Sequence, residues 1–110
     1  MEVIMDFIED RIVSFYKAMS HPTRLKILNI VKDFGEICVC NIHEKLNLEQ
    51  SNVSQHLKIL KTSGLLNSRK DGLKVMYSIT DEGIISVMDT VNKIITSQLE
   101  SRLKTFNTGD

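Results

Sequence analysis

Two cysteines and a histidine lie close together in the chain, at Cys38, Cys40 and His43. Thiolates are soft ligands that suit arsenic, cadmium, lead, copper(I) or zinc, and an imidazole can add a nitrogen donor. A thiol near a helix N-terminus ionises more readily than a free one. The same two cysteines could instead be small buried hydrophobic residues, or a thiol pair that oxidises to a disulfide or a sulfenic acid.

The spacing of these residues limits how they could act together. On a regular helix Cys38 and Cys40 would point about 200° apart, because each residue turns the chain by about 100°. Both could hold one ion only if the first turn is distorted or if Cys38 precedes the helix. Cys40 and His43 are three residues apart and share a helix face. A Cys38–Cys40 disulfide inside a helix would be strained, and an intersubunit bridge is a further alternative.

A second group of side chains with chemical potential lies between Gln50 and Gly64. Apolar residues recur there at helical spacing, and the glycine is typical of a helix end. The opposite face is polar and the segment holds no acid; its candidate DNA-contacting residues are Gln50, Ser51, Asn52, Ser54, Gln55 and Lys58. Amides and hydroxyls of this kind can bond base edges and phosphates. A surface helix with polar caps is the alternative, and the flanking segments decide between the two.

Charge is distributed unevenly along the chain, although the formal net charge is zero. Residues 51–75 hold five Lys or Arg against one Asp, whereas residues 1–50 and 76–110 each carry a net charge of −2. A local positive footprint of this kind favours a nucleic-acid partner. The basic side chains expected on phosphates are Lys58, Arg69, Lys70 and Lys74.

Helical patterns precede this segment. Residues 3–19 show the spacing of an amphipathic helix, and Ser20 with Pro22 is typical of the start of a second helix that ends near Gly35. Residues 36–46 are expected to start a short third helix, and residues 47–49 a turn. Two short helices joined by a tight turn predict a helix-turn-helix.

A hairpin and a long helix follow. Asp71 and Gly72 lie between alternating apolar and polar residues, which predicts a two-stranded ribbon with a basic tip. The last helix, after Thr80, carries an apolar stripe over more than twenty residues, too long for a small monomer to cover. The predicted fold is mainly α with a β-hairpin wing: a winged helix-turn-helix, a single domain over residues 1–110, homodimeric through its first and last helices.

Composition agrees with a small globular domain. The chain has 110 residues, of which 42% are hydrophobic and 25% charged. It shows neither an apolar run long enough for a bilayer nor a basic N-terminal region followed by a cleavage site. We therefore expect a cytoplasmic protein with no membrane partner, and two cysteines do not make a disulfide scaffold.

Three motifs in this order resemble the ArsR/SmtB family of winged-helix, metal-responsive repressors. Residues 20–28 (SHPTRLKIL) are similar to the opening of the family's second helix, and residues 36–42 (EICVCNI) to the Cys-Val-Cys box of its arsenic, cadmium and lead sensors. Residues 51–60 (SNVSQHLKIL) resemble its recognition helix. The resemblance implies a homodimer that binds a palindromic operator and is released by its effector.

The sequence departs from the family pattern at three places. Asn41 replaces the usual acid of the metal box, and His43 stands where arsenic sensors often have a third cysteine. The zinc site of the last helix is absent, because Glu82 and Gly83 follow Asp81 and the later ligand positions fall near Ile94 and Ser97.

The resemblance favours a repressor that leaves operator DNA when a thiophilic metal or metalloid binds Cys38 and Cys40, with His43 as a third candidate ligand. No cofactor is expected to be needed for folding. A redox-responsive repressor of the same fold is the alternative, followed by a winged-helix protein-interaction module. An enzyme is not expected, because the chain has no Cys-x-x-Cys motif and no acid–base cluster.

Overall fold

The computed structural model describes residues 1–107, which form five helices and three strands. In chain order these are α1 (Glu2–Met19), α2 (Pro22–Phe34), β1 (Glu36–Cys38), α3 (Val39–Leu46), α4 (Gln50–Thr62), β2 (Leu66–Asp71), β3 (Lys74–Ile79) and α5 (Glu82–Asn107). The chain divides into two compact units, Met1–Thr80 and the segment from Asp81 onward, which contains α5. None of the helices described combines the length and the apolar character needed to cross a bilayer.

The three strands form an antiparallel sheet in the order β1-β3-β2. In the hairpin, Leu66 pairs with Ile79 and Asp71 with Lys74, which leaves a two-residue loop at Gly72 and Leu73. Gly72 has a φ of 63°, a conformation that glycine adopts without a steric penalty. The predicted hairpin is confirmed, but the sheet has three strands rather than the two expected.

The third strand lies where the sequence predicted the start of a helix. Residues 36–38 are extended and pair with residues 76–78 of β3, and Ile37 and Cys38 are buried. Pairing with β3 satisfies the backbone of this segment, so the helix starts only at Val39. The prediction of a helix from residue 36 was therefore wrong at its first three residues.

The boundary between α1 and α2 also differs slightly from the expectation. Ser20 ends α1, and its hydroxyl donates to the Lys17 carbonyl at 2.9 Å rather than capping α2. His21 is the N-cap of α2 instead, and its Nδ1 accepts from the Thr23 N–H at 3.1 Å. Pro22 occupies the first turn as predicted.

The core of the first unit draws on α2, α3, α4 and the sheet. α2 contributes three fully buried residues. The most deeply buried side chains of this unit are Ile27, Leu28, Val31, Cys38, Ile42, Val53, Leu57, Leu60, Leu65 and Leu66. This core supports α4 from behind and leaves its other face free.

Candidate nucleic-acid interface and thiol pair

The turn between α3 and α4 sets the angle at which α4 leaves the core. Asn47 ends α3 in the left-handed conformation, with φ 54° and ψ 44°, a conformation that asparagine tolerates better than most residues. The Leu48 N–H donates to the His43 carbonyl at 3.1 Å, which closes the end of α3. α4 then begins at Gln50. The predicted helix-turn-helix is thus present.

The two faces of α4 differ completely in exposure. Val53, Leu57 and Leu60 have no exposed surface. The polar side chains predicted at the nucleic-acid interface are all exposed: Gln50, Ser51, Asn52, Ser54, Gln55 and Lys58. This face of the helix therefore presents amides, hydroxyls and the Lys58 cation to solvent, backed by the buried apolar side.

The hairpin places two further predicted cations in solvent. Lys70 lies near the end of β2 and Lys74 at the start of β3, and both are exposed. Lys61, at the end of α4, donates to the Ser68 hydroxyl of β2 at 2.6 Å. This hydrogen bond links α4 to the hairpin, so the two basic surfaces belong to one structural unit.

Arg69, the remaining predicted phosphate ligand, is engaged within the protein. Its Nε donates to Glu36 Oε2 at 2.8 Å, and its Nη2 donates to Glu36 Oε1. This forked hydrogen bond lowers the pKa of Glu36 and raises that of Arg69. The pair ties β1 to β2 across β3, a role that the sequence did not reveal because Glu36 was assigned to a helix.

A second arginine connects the back of α4 to the end of α1. Arg24 Nε donates to the Ala18 carbonyl at 2.7 Å and Nη2 to the Lys17 carbonyl at 3.3 Å. Its Nη1 lies 3.3 Å from Nδ1 of His56. Sequence reasoning assigned Arg24 no role, although it lies within the SHPTRLKIL motif.

His56 is half-buried within this cluster and stacks at a tilt on His21, with 4.6 Å between ring centroids. Burial is the main cause that lowers the pKa of His56, and the nearby His21 and Arg24 add to it. A neutral His56 can accept a hydrogen bond from Arg24 at Nδ1. Protonation at that atom would remove the acceptor.

The thiol pair lies at the junction of β1 and α3. Cys38 is the last residue of β1 and the N-cap of α3, with extended backbone angles, and its Sγ accepts from the Asn41 N–H at 3.3 Å. Because Cys38 precedes the helix, the 200° separation expected within a helix does not apply. The sulfur atoms of Cys38 and Cys40 are joined in a disulfide, with the two Cα atoms 5.3 Å apart.

The donors available to a metal ion in this arrangement are two adjacent sulfurs, once reduced. Cys38 is buried, whereas Cys40 and His43 are half-buried. Within residues 1–107 no three His, Cys, Asp or Glu side chains are grouped so that they could hold a metal ion. The assignment of Cys38, Cys40 and His43 as metal ligands stays a prediction.

Comparison with known proteins agrees with this fold. The family model described as "Bacterial regulatory protein, arsR family" matches residues 21–68. The arsenical resistance operon repressor of Staphylococcus xylosus is 32% identical over 94 residues, which cover 86% of this chain and 89% of that protein. The cadmium resistance transcriptional regulatory protein CadC homolog of Staphylococcus aureus is 33% identical over 78 residues, covering 71% of this chain and 64% of that protein.

A solved structure extends the likeness to three dimensions. It is the solution structure of the homodimeric winged helix-turn-helix DNA-binding domain Mb0332 from Mycobacterium bovis, a possible ArsR-family transcriptional regulator. It superposes with a TM-score of 0.82 at 26% identity, over 88% of this chain and 89% of that one. The predicted winged helix-turn-helix is confirmed, and the relatives are regulators rather than enzymes. The chain belongs to the arsR family of bacterial regulatory proteins.

Proposed function

We propose that this protein is a sequence-specific DNA-binding repressor whose hold on operator DNA is released by a thiophilic ion. The proposal that the protein binds DNA rests on the two faces of α4. This helix buries its apolar face completely, and its exposed face carries amides and hydroxyls without any acid. A helix of this shape fits the major groove of B-DNA, where Gln and Asn side chains can bond adenine.

The contacts divide by chemistry. Gln50, Ser51, Asn52, Ser54 and Gln55 lie at or near the start of α4 and are proposed to face base edges and the groove. Lys58, Lys70 and Lys74 are exposed cations proposed to contact phosphates. The phosphate contact predicted for Arg69 stays a prediction, and it would require Arg69 to leave Glu36.

A homodimer is part of the proposal. Both α1 and α5 expose apolar stripes: Phe7 is 70% and Tyr16 62% exposed on α1, and Val91 is 52% and Leu99 52% exposed on α5. Exposed apolar surface of this extent typically marks an interface. The homodimeric state of the Mycobacterium bovis relative supports this. Two copies of α4 would then address half-sites about 34 Å apart, one turn of DNA.

The proposed effector is a thiophilic metal or metalloid of the arsenite, cadmium or lead class, held by the reduced Cys38 and Cys40. Soft thiolates prefer such ions, and the names of the two staphylococcal relatives point to arsenic and cadmium resistance. His43, which follows Cys40 by three residues in α3, is proposed as a third donor.

The position of the thiols suggests how effector and DNA binding are coupled. Cys38 belongs to β1, which pairs with β3 of the wing, and Cys40 belongs to α3, which supports α4. An ion bound by both sulfurs would therefore act on the wing and on α4 at the same time. Coupling of this kind is reciprocal and typically amounts to about 1–3 kcal/mol.

A redox-responsive repressor is the second candidate, favoured by the Cys38–Cys40 disulfide. Its formation from two thiols passes two electrons and two protons to an oxidant such as a peroxide or a small disulfide. Oxidation would also remove both proposed ligands of the ion.

The test is a titration of the reduced protein bound to fluorescent DNA from its own promoter. Arsenite, cadmium and zinc are added separately, then peroxide or a small disulfide, to the wild type and to the Cys38→Ser/Cys40→Ser double variant. Release from DNA by an ion in the wild type alone supports the ion-sensing proposal. Equal release of the two proteins would show that the thiols are not the sensor, and release by oxidant alone supports the redox candidate.

A further inference from the structure

We propose that Arg24 is a positioning residue for operator recognition, because its guanidinium fixes α4 relative to α1, the helix whose exposed stripe is proposed to join two subunits. The inference rests on the proposed homodimeric repressor. It concerns how that repressor sets the distance and the orientation between its two copies of α4, which neither the DNA-contacting residues nor the thiols explain.

Arg24 belongs to α2 and donates hydrogen bonds to both neighbouring helices. Its Nε donates to the Ala18 carbonyl at 2.7 Å and its Nη2 to the Lys17 carbonyl at 3.3 Å, both in the last turn of α1. Carbonyls at a helix C-terminus lack an N–H partner within the helix, and the helix dipole favours a cation beside them. The Nη1 atom lies 3.3 Å from Nδ1 of His56 on α4. One guanidinium therefore joins three helices.

The direction of the hydrogen bond to His56 follows from its chemistry. A guanidinium can only donate, so Nδ1 of His56 is the acceptor and the ring carries its proton on Nε2. His21 has the same tautomer, because its Nδ1 accepts from the Thr23 N–H. The rings of His21 and His56 are 4.6 Å apart between centroids. The start of α2 therefore holds His56 in two ways, by the hydrogen bond from Arg24 and by the ring of His21.

Arg24 acts at the point where α1 is attached to the rest of the first unit. Ala18 is the buried residue of α1, and its carbonyl is the one that Arg24 bonds at 2.7 Å. An open cleft of about 470 Å³ lies between α1 and the C-terminal end of α4, lined among others by Val13, Ile59 and Ser63. Buried packing therefore does not fix the angle between α1 and α4 along most of α1, which leaves this task to the contacts of Arg24.

The spacing of the two half-sites reports on this angle. Two recognition helices of a dimer address half-sites about 34 Å apart. One base pair inserted between them moves one half-site by about 3.4 Å and turns it by about 35° around the DNA axis. A dimer with a firm link between α1 and α4 is sensitive to this change, whereas a dimer with a loose link tolerates it. Base contacts made by each α4 are the same in both cases.

The test measures the affinity of the reduced protein for its own promoter DNA, for random DNA, and for promoter DNA with one base pair inserted or deleted at the centre of the footprint. The wild type is compared with Arg24→Gln, with His56→Leu and with the control Lys26→Gln, which removes a positive charge from an exposed position of α2. His56→Leu removes the acceptor on α4 and leaves both bonds of Arg24 to α1 in place. Circular dichroism and sedimentation check the fold and the dimer, and His56→Leu decides if Arg24→Gln does not fold.

We expect the wild type and Lys26→Gln to lose about tenfold in affinity when the spacing changes by one base pair. Arg24→Gln and His56→Leu should bind the unaltered promoter about tenfold more weakly and lose only about twofold when the spacing changes. The double variant should bind no more weakly than Arg24→Gln, because both changes break the same hydrogen bond.

A wild type that is indifferent to spacing would overturn the role of Arg24, and so would an unchanged spacing penalty in the variants. Additive losses in the double variant would overturn it as well, because His56 would then act independently of Arg24. In each of these cases a preference of the wild type for promoter DNA still supports the repressor. Equal affinity of the wild type for promoter and random DNA would overturn the proposed function together with the role of Arg24.

Discussion

α1 and α4 have similar apolar periodicities, but their apolar stripes differ in exposure to solvent in the folded chain. The stripe of α4 is entirely buried, with Val53, Leu57 and Leu60 at 0% exposure. The stripe of α1 is largely in solvent, since Ile8 and Ile12 are 47% exposed and Phe7 is 70% exposed. The comparison teaches that an amphipathic pattern indicates a helix with a partner without saying which chain supplies the partner.

The difference follows from what surrounds each helix. α4 contacts α1, α2, α3 and β2, which together enclose its apolar side. α1 contacts α2 and α4, and its buried residue is Ala18, near its C-terminal end. The remaining stripe of α1 is therefore available to a second subunit, whereas that of α4 is already part of the core.

The largest expected effect comes from removing a core side chain of α4. Leu57→Ala should lower the free energy of unfolding by about 2–5 kcal/mol, because it leaves a cavity in a fully enclosed site. Ile59→Ala on the same helix is the matched control, since Ile59 is 42% exposed. Urea unfolding at one protein concentration measures both. Equal losses in the two variants would contradict the contrast between the faces of α4.

The second-largest expected effect comes from a charged side chain introduced into the apolar stripe of α1. Ile12→Asp should weaken dimer association by about 2 kcal/mol or more, because the interface would bury an unpaired carboxylate. The fold of the first unit should survive, since Ile12 is half exposed in the isolated chain. Sedimentation equilibrium measures the association and circular dichroism the helix content.

Asp10→Asn, at an exposed position of the same helix, is the control for Ile12→Asp. It changes a charge without adding one to the apolar stripe. A wild type that is already a stable monomer at micromolar concentration would rule out the proposed use of α1.

The polar face of α4 should affect recognition rather than stability. Gln55→Ala should reduce the preference for promoter DNA over random DNA by about 1–3 kcal/mol, with unfolding unchanged. Lys70→Ala is the contrasting variant. It should weaken binding to all sequences alike and reduce the slope of log affinity against log salt concentration by about one unit. Anisotropy titrations with promoter and random DNA over a salt series measure both effects. Equal changes of specificity in the two variants would contradict the proposed division between base and phosphate contacts.

The smallest expected effect concerns His56, which lies between the two faces of α4. Its pKa is lowered from 6.5 by burial, by His21 and by Arg24, so the unfolded chain binds a proton more readily than the folded one. Stability should therefore fall as the pH drops through the ordinary histidine range toward 5. His56→Gln should show a shallower fall between pH 7.5 and 5. Urea unfolding across that range measures the free energy of unfolding at each pH. An equal pH dependence in both proteins would exclude His56 as its source.

Local patterns were sufficient to predict most of the fold and the polar surface of α4. The periodicity of Val53, Leu57 and Leu60 identified both the helix and its buried side, because each residue turns a helix by a fixed angle. The Asp71–Gly72 signal located the hairpin, because few residues adopt a positive φ. These features depend on neighbours along the chain, so the sequence alone determined them.

Contacts between distant residues decided the rest. Residues 36–38 became a strand because β3, forty residues away, supplied hydrogen-bond partners. That pairing placed Cys38 before α3, next to Cys40, and brought Glu36 to Arg69. No local propensity encodes which strand or side chain will be adjacent after folding. The helices, the hairpin and the polar face of α4 could therefore be predicted from the sequence. The geometry of the thiol pair and the attachment of the wing required the tertiary structure.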